Sequence, residues 1–118
     1  MKKVIPLLLF ILMAFASCQR GPAIYQRADT PREMADNAEK FAKETAKCAA
    51  NYSDEDWKVA FDQFASMTKD YMEKKGRMSE ADLFRADAAR LQFTKTVAEK
   101  GNPELVKQMK ELFQEMSH

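Results

Sequence analysis

At 118 residues, with 19 Lys plus Arg against 18 Asp plus Glu, the chain has room for one domain and is nearly neutral. Near-neutrality removes the electrostatic case for nucleic-acid binding and for a polybasic hold on anionic lipid. Glycine (3) and proline (4) are rare and sit at punctuation points, which fits packed helices rather than a disordered chain or a β-sandwich.

The N-terminus reads Met1-Lys2-Lys3 followed by VIPLLLFILMAFAS. A basic start and a short apolar run are the two parts of a signal peptide. The run from Val4 to Ser17 falls short of the roughly 20 residues a membrane-spanning helix needs. Pro6 weakens it further as a permanent helix. Two ways of processing compete. Ala14-Phe15-Ala16 offers an ordinary small-x-small cleavage site after Ala16. Phe15-Ala16-Ser17-Cys18 resembles a bacterial lipobox, with Phe15 standing where leucine is usual. That resemblance implies a diacylglyceryl thioether on Cys18, cleavage before it, and a further acyl chain such as palmitate on its new amine. Lipidation of Cys18 is the expectation adopted.

Two or three acyl chains would hold the protein on a bilayer essentially permanently, because each buried methylene contributes about 0.8 kcal/mol. Cys48 would then be the only thiol left, whereas an unlipidated Cys18 could pair with it in an oxidising compartment. Losing residues 1–17 removes Lys2 and Lys3 and leaves 17 basic against 18 acidic residues. After Cys18, Gly21-Pro22 breaks any helical period, so residues 18–29 read as a flexible tether. Gln19 follows the cysteine. By resemblance to enterobacterial sorting, where Asp there marks inner-membrane retention, it implies an outer-membrane destination. Without an acidic run after the cysteine, the side implied is the periplasmic face.

Residues 30–118 read as the domain proper. Thr30-Pro31-Arg32-Glu33 is a capping box with proline at the first helical position, and the first helix should run from about Pro31 to Ala50. Ser53 and the acids Asp54, Glu55 and Asp56 open a second, ending near Lys75 with Gly76 in the left-handed position beyond it. Ser79 opens a third, closed by Gly101, and Asn102-Pro103-Glu104 opens a shorter fourth. Apolar residues recur at helical spacing: Met34, Ala38, Phe41, Thr45 and Cys48 in the first, Trp57, Phe61, Phe64, Thr68 and Tyr71 in the second. Leu105, Met109, Leu112 and Met116, with Val106 and Phe113 beside them, do the same in the fourth.

The third helix carries apolar residues on two sides. Phe84, Ala88, Leu91 and Ala98 mark one; Ala86, Phe93 and Val97 mark nearly the opposite one. Such a helix is either central in a bundle or exposes a patch. The central position is expected here, with the fourth helix folding back over Phe93. The fold class is therefore all-α: an antiparallel up-down bundle of three long helices and one shorter C-terminal helix. Glu39–Lys43, Asp54–Lys58 and Asp70–Lys74 are expected as solvent-facing i,i+4 pairs.

Catalytic signatures are missing. His118 is the only histidine, so neither a metal site nor a Cys–His nucleophile is expected, and no cofactor. Asp54, Glu55 and Asp56 lack the glycine and distal Glu of a calcium loop. Asp87 and Arg90 form a polar pair on the third helix, taken as structural. The aromatic residues are read chiefly as core; Trp57, Tyr71 and Phe93 are the candidates for a partner or ligand surface.

With Cys18, the entry TPREMADNAEKF and the stretch YSDEDWKVAFDQFASMTKDY, the chain resembles small helical lipoproteins of unknown function from gut-type Gram-negative anaerobes. The resemblance rests on caps and core and implies no catalytic residues. The expected function is that of a non-catalytic binding or accessory module of the cell envelope, membrane-anchored through Cys18, with an envelope protein as candidate partner. A secreted or oligomerising structural or stress-related envelope protein is the alternative. A carboxylate-based enzyme acting on cell wall or glycan is a third reading, needing two carboxylates about 5–10 Å apart in a cleft.

Overall fold

The computed structural model describes Cys18 and residues 21–117. Residues 1–17, 19–20 and 118, and the side chains of Phe113, Met116 and Ser117, lie outside what is described. The described residues are helical, in four elements: α1 Pro31–Cys48, α2 Asp54–Lys74, α3 Glu80–Lys100 and α4 Pro103–Ser117. Single 3₁₀ turns at Ala49–Asn51 and Lys75–Arg77 finish α1 and α2.

Each helix starts where a polar side chain can satisfy an orphan amide. Thr30 Oγ1 accepts from the Glu33 amide at 3.1 Å, while the Glu33 carboxylate takes the Asp29 amide at 3.2 Å. The return bond of that capping box thus lands one residue earlier than expected. At α2 the box is complete: Ser53 Oγ accepts from the Asp56 amide, and Asp56 Oδ2 accepts from the Ser53 amide. Ser79 and Asn102 cap α3 and α4 through the Asp82 and Leu105 amides.

The two glycines near helix ends behave differently from one another. Gly76 lies inside the 3₁₀ turn and not in the left-handed region expected for it; tightening the last turn disposes of the terminal carbonyls instead. Gly101 has extended backbone, and a Cβ there would stand 2.6 Å from the Val97 carbonyl oxygen. Only glycine lets α4 leave α3 that closely.

Phe93 of α3 is the centre of the core. Its ring stacks on Phe64 at 4.3 Å and on Phe41 at 5.6 Å between centroids, and takes Phe61 edge-on at 5.9 Å. One side chain thereby joins α1, α2 and α3. Ala38, Ala42, Ala60, Ala86 and Ala89, all buried, let the helices approach each other around it. The most extensive pairing is α1 with α3, while α4 adds Leu105 and Met109 to the same cluster.

Residues 21–29 depart from the expectation of a flexible tether. They form an extended strap packed on the helices, with Tyr25 and Ala28 buried. Gly21, at φ 93°, turns the chain into it. The strap lacks helical hydrogen bonds, so α1 and α2 satisfy its backbone. The Tyr25 amide donates to Gln63 Oε1 at 2.9 Å, the Ala28 amide to Asp70 Oδ2 at 3.0 Å, and Asn37 Nδ2 to the Gln26 carbonyl at 2.9 Å. The packed unit thus begins about seven residues before Thr30.

Candidate functional site

Four places in the fold bring chemistry-bearing side chains together. The first is Asp70, on the face of α2 beneath the strap. Its Oδ2 accepts from the Tyr25 hydroxyl at 2.5 Å as well as from the Ala28 amide, and its Oδ1 pairs with Lys74 Nζ. The Asp70 and Lys74 side chains are 1% and 7% exposed. This i,i+4 pair was expected on a solvated face; the strap covers it and makes it a buried ion pair. Burial pushes the Asp70 carboxyl up, but Lys74, Tyr25 and the Ala28 amide together outweigh that and hold it below the usual carboxylate range. Burial, then the Asp70 carboxylate, push the Tyr25 phenol well above its ordinary value. All three of these donors belong to the fold itself.

The second place is Arg85 on α3. Its Nε pairs with Glu39 and its Nη2 with Asp36, both on α1, while Nη1 lies 3.4 Å from Asp82. The hydrogen bonds it donates to Glu39 and Asp36 hold the guanidinium pKa above normal. Glu39 therefore serves a cross-helix clamp rather than the expected Lys43 pair. Similarly, Lys58 faces Glu55 at 3.4 Å, where Asp54 was expected. One guanidinium thus bridges three carboxylates from two helices, an arrangement that ties α1 to α3.

The third place brings together Asp87 and Arg90. They lie 3.5 Å apart, and the Arg90 guanidinium carbon stands 4.7 Å over the Tyr71 ring of α2. Burial, and then Asp87, raise the Tyr71 phenol.

At the fourth, Cys18 and Cys48 are joined by a disulfide, with Cα atoms 5.1 Å apart. The sequence allowed this pairing for an unlipidated Cys18. A sulfur already in a thioether has no valence for a disulfide, so lipidation and this bond exclude each other within one molecule. Beside Cys48 an open cleft of about 410 Å³ runs between the start of the strap at Gly21–Ile24 and α1 at Glu44 and Lys47.

The expected partner surface is corrected by burial. Trp57, Tyr71 and Phe93 are 3%, 8% and 0% exposed, so all three are core. Trp57 packs edge-on to Tyr52, Tyr71 lies under Arg90, and Phe93 is the central ring. The large exposed apolar residues of α3 lie on its other face: Phe84 at 76% and Leu91 at 72%. The helix that should have been apolar on two buried sides buries one of them only. Nothing distinguishes the two faces in residue type; the ring stack at Phe93 decides between them.

Among the described residues no group of three or more His, Cys, Asp or Glu side chains is placed to hold a metal ion, and no helix is long and apolar enough to cross a membrane. No protein-family model matches the chain, and searches among curated proteins and among solved structures found no significant match.

Proposed function

We propose that the chain is an exported cell-envelope protein that works as a non-catalytic binding or accessory module, held by lipid on Cys18 to the periplasmic face of the outer membrane. The observation that carries this reading is the order of parts at the N-terminus. Lys2-Lys3 and an apolar run lead to Ala16-Ser17-Cys18, and the packed strap begins within a few residues of that cysteine. The likeness to small helical envelope lipoproteins points the same way. So does the use made of the polar clusters: Asp70, Arg85 and Asp87 each stand in contacts that hold helices or strap together. The helices are proposed to alternate up and down, since connections as short as Gly101-Asn102 favour antiparallel neighbours.

The Cys18–Cys48 bond favours a second reading, a secreted protein cut after Ala16 and closed by its disulfide. Intact mass of the protein recovered from membrane and from soluble fractions, with and without thiol alkylation, separates the two. Anchoring predicts a chain starting at Cys18, heavier by its acyl groups, with one alkylatable thiol, and a Cys18→Ala variant that leaves the membrane. A soluble, unacylated chain starting at Ser17 with no alkylatable thiol refutes anchoring.

A further inference from the structure

Cys18 and Cys48 are the only cysteines in the chain, and they stand 30 positions apart in sequence. The strap is what brings them together. Its pins run toward Cys48. Asp70 holds the Ala28 amide and the Tyr25 hydroxyl, Gln63 holds the Tyr25 amide, and the Ala23 amide donates to the Tyr52 hydroxyl at 3.4 Å. Tyr52 follows directly on the 3₁₀ turn Ala49–Asn51 that ends α1 beyond Cys48. From Ala23, fixed there, the chain back to Cys18 spans at most about 18 Å. A docked strap therefore holds the Cys18 sulfur near Cys48 at the millimolar effective concentration of a short tether, before any bond joins them. Cys48 is packed except toward the cleft at the start of the strap, the side from which Cys18 arrives.

The same sulfur is claimed by acylation. To make the thioether, the Cys18 sulfur takes a diacylglyceryl group from a phospholipid. The carbon–sulfur bond forms, the carbon–oxygen bond to the headgroup phosphate breaks, and the thiol proton leaves with that phosphate. To make the disulfide, Cys18 first exchanges with a disulfide-carrying oxidant of the compartment, and the Cys48 thiolate then displaces that oxidant from the Cys18 sulfur. The two cysteines give up two electrons and two protons, and the oxidant's disulfide becomes a dithiol. Each product removes the thiol that the other needs.

We infer that Cys48 competes with acylation for Cys18, an inference that rests on the anchoring proposed above. The strap delivers Cys18 to its competitor, and the redox poise of the compartment sets the outcome. Reducing conditions leave Cys18 to the lipid and give the anchored form. Oxidising conditions close the ring and give a released form with the same bundle. Both cleavage sites then have a use, the one before Cys18 for the acylated chain and the one after Ala16 for the disulfide-closed chain.

The test uses the full chain, exported by a Gram-negative cell fed an alkyne-bearing palmitate. Intact mass, after thiol alkylation without reduction, gives the ratio of acylated to unacylated chain. Wild type should show both forms. Cys48→Ser and Cys48→Ala should each raise the ratio at least threefold. Dithiothreitol during growth should do the same to wild type and leave Cys48→Ser unchanged; acting on the native side chains, it serves also where a cysteine variant misfolds. Tyr25→Ala, which frees the strap but keeps the Asp70–Lys74 pair, should raise the ratio at least twofold. A wild type wholly acylated, one indifferent to dithiothreitol, or a Cys48→Ser ratio equal to that of wild type overturns the competition and leaves anchoring standing. A Tyr25→Ala ratio equal to that of wild type overturns delivery by the strap. Absence of acylation even in Cys48→Ser overturns anchoring, and the competition with it.

Discussion

Replacing Asp70 by alanine should be among the most damaging single changes in the protein. The carboxylate receives the Tyr25 hydroxyl, the Ala28 amide and Lys74 Nζ. With it gone, an ammonium on a side chain only 7% exposed loses its partner, and two strap donors lose their acceptor. Breaking a buried ion pair from one side costs about 3–5 kcal/mol. For a domain of this size that is a fall in Tm of roughly 12 °C or more. Tyr25→Phe removes a single hydrogen bond to a charged group and should cost about 1.5–3 kcal/mol. The two changes act on one network, so the double variant should be more stable than additivity predicts by about 1 kcal/mol or more. Acid should reproduce part of the effect. The folded carboxyl is held below its unfolded value of about 3.9, so its contribution is complete above that pH and is lost as pH falls through the folded value. Urea melts of wild type and Asp70→Asn between pH 7 and pH 2 should therefore converge at the acid end. Loss of under 1 kcal/mol in Asp70→Ala, or additive behaviour with Tyr25→Phe, would refute the view that this network pins the strap.

Phe93→Ala should destabilise by about 3–5 kcal/mol in chemical denaturation, since the ring touches three others and is fully buried. Gly101→Ala drives a methyl toward the Val97 carbonyl and should cost about 1–3 kcal/mol, read most directly as faster amide exchange throughout α4 than in α1. In the disulfide-closed form, whose cysteines are 30 residues apart, reduction should lower stability by about 3–4 kcal/mol in denaturant melts with and without reductant.

The caps were legible because they are local. A Ser, Thr or Asn before a helix meets its amide partner three residues on, whatever the rest of the chain does, and Thr30, Ser53, Ser79 and Asn102 all accept from that position. The sides of α3 were not legible. Phe84 and Phe93 are the same residue type half a turn apart, and only the position of Phe41 and Phe64 on two other helices selects one as core. The strap escaped for a related reason. Gly21-Pro22 announces that a helix cannot form there, which is true, but an extended segment can still pack if its amides find acceptors. Gln63 and Asp70, about 40 residues further on, supply them. The alternation of Ala23 with Tyr25, and then Ala28, was the only trace of this in the sequence. Asp70 itself looked like half of a surface pair because nothing nearby in the chain foretells what covers it.

Immobilising the strap shortens the leash. From Cys18, twelve freely jointed residues to Thr30 could reach about 40 Å, whereas seven to the fixed Tyr25 reach at most about 25 Å, roughly a fourfold smaller volume. Anchored at Cys18, the bundle would travel as a short-stemmed body close to the bilayer. Its neighbours in the plane of the membrane, more than partners deep in the periplasm, would be the ones it meets.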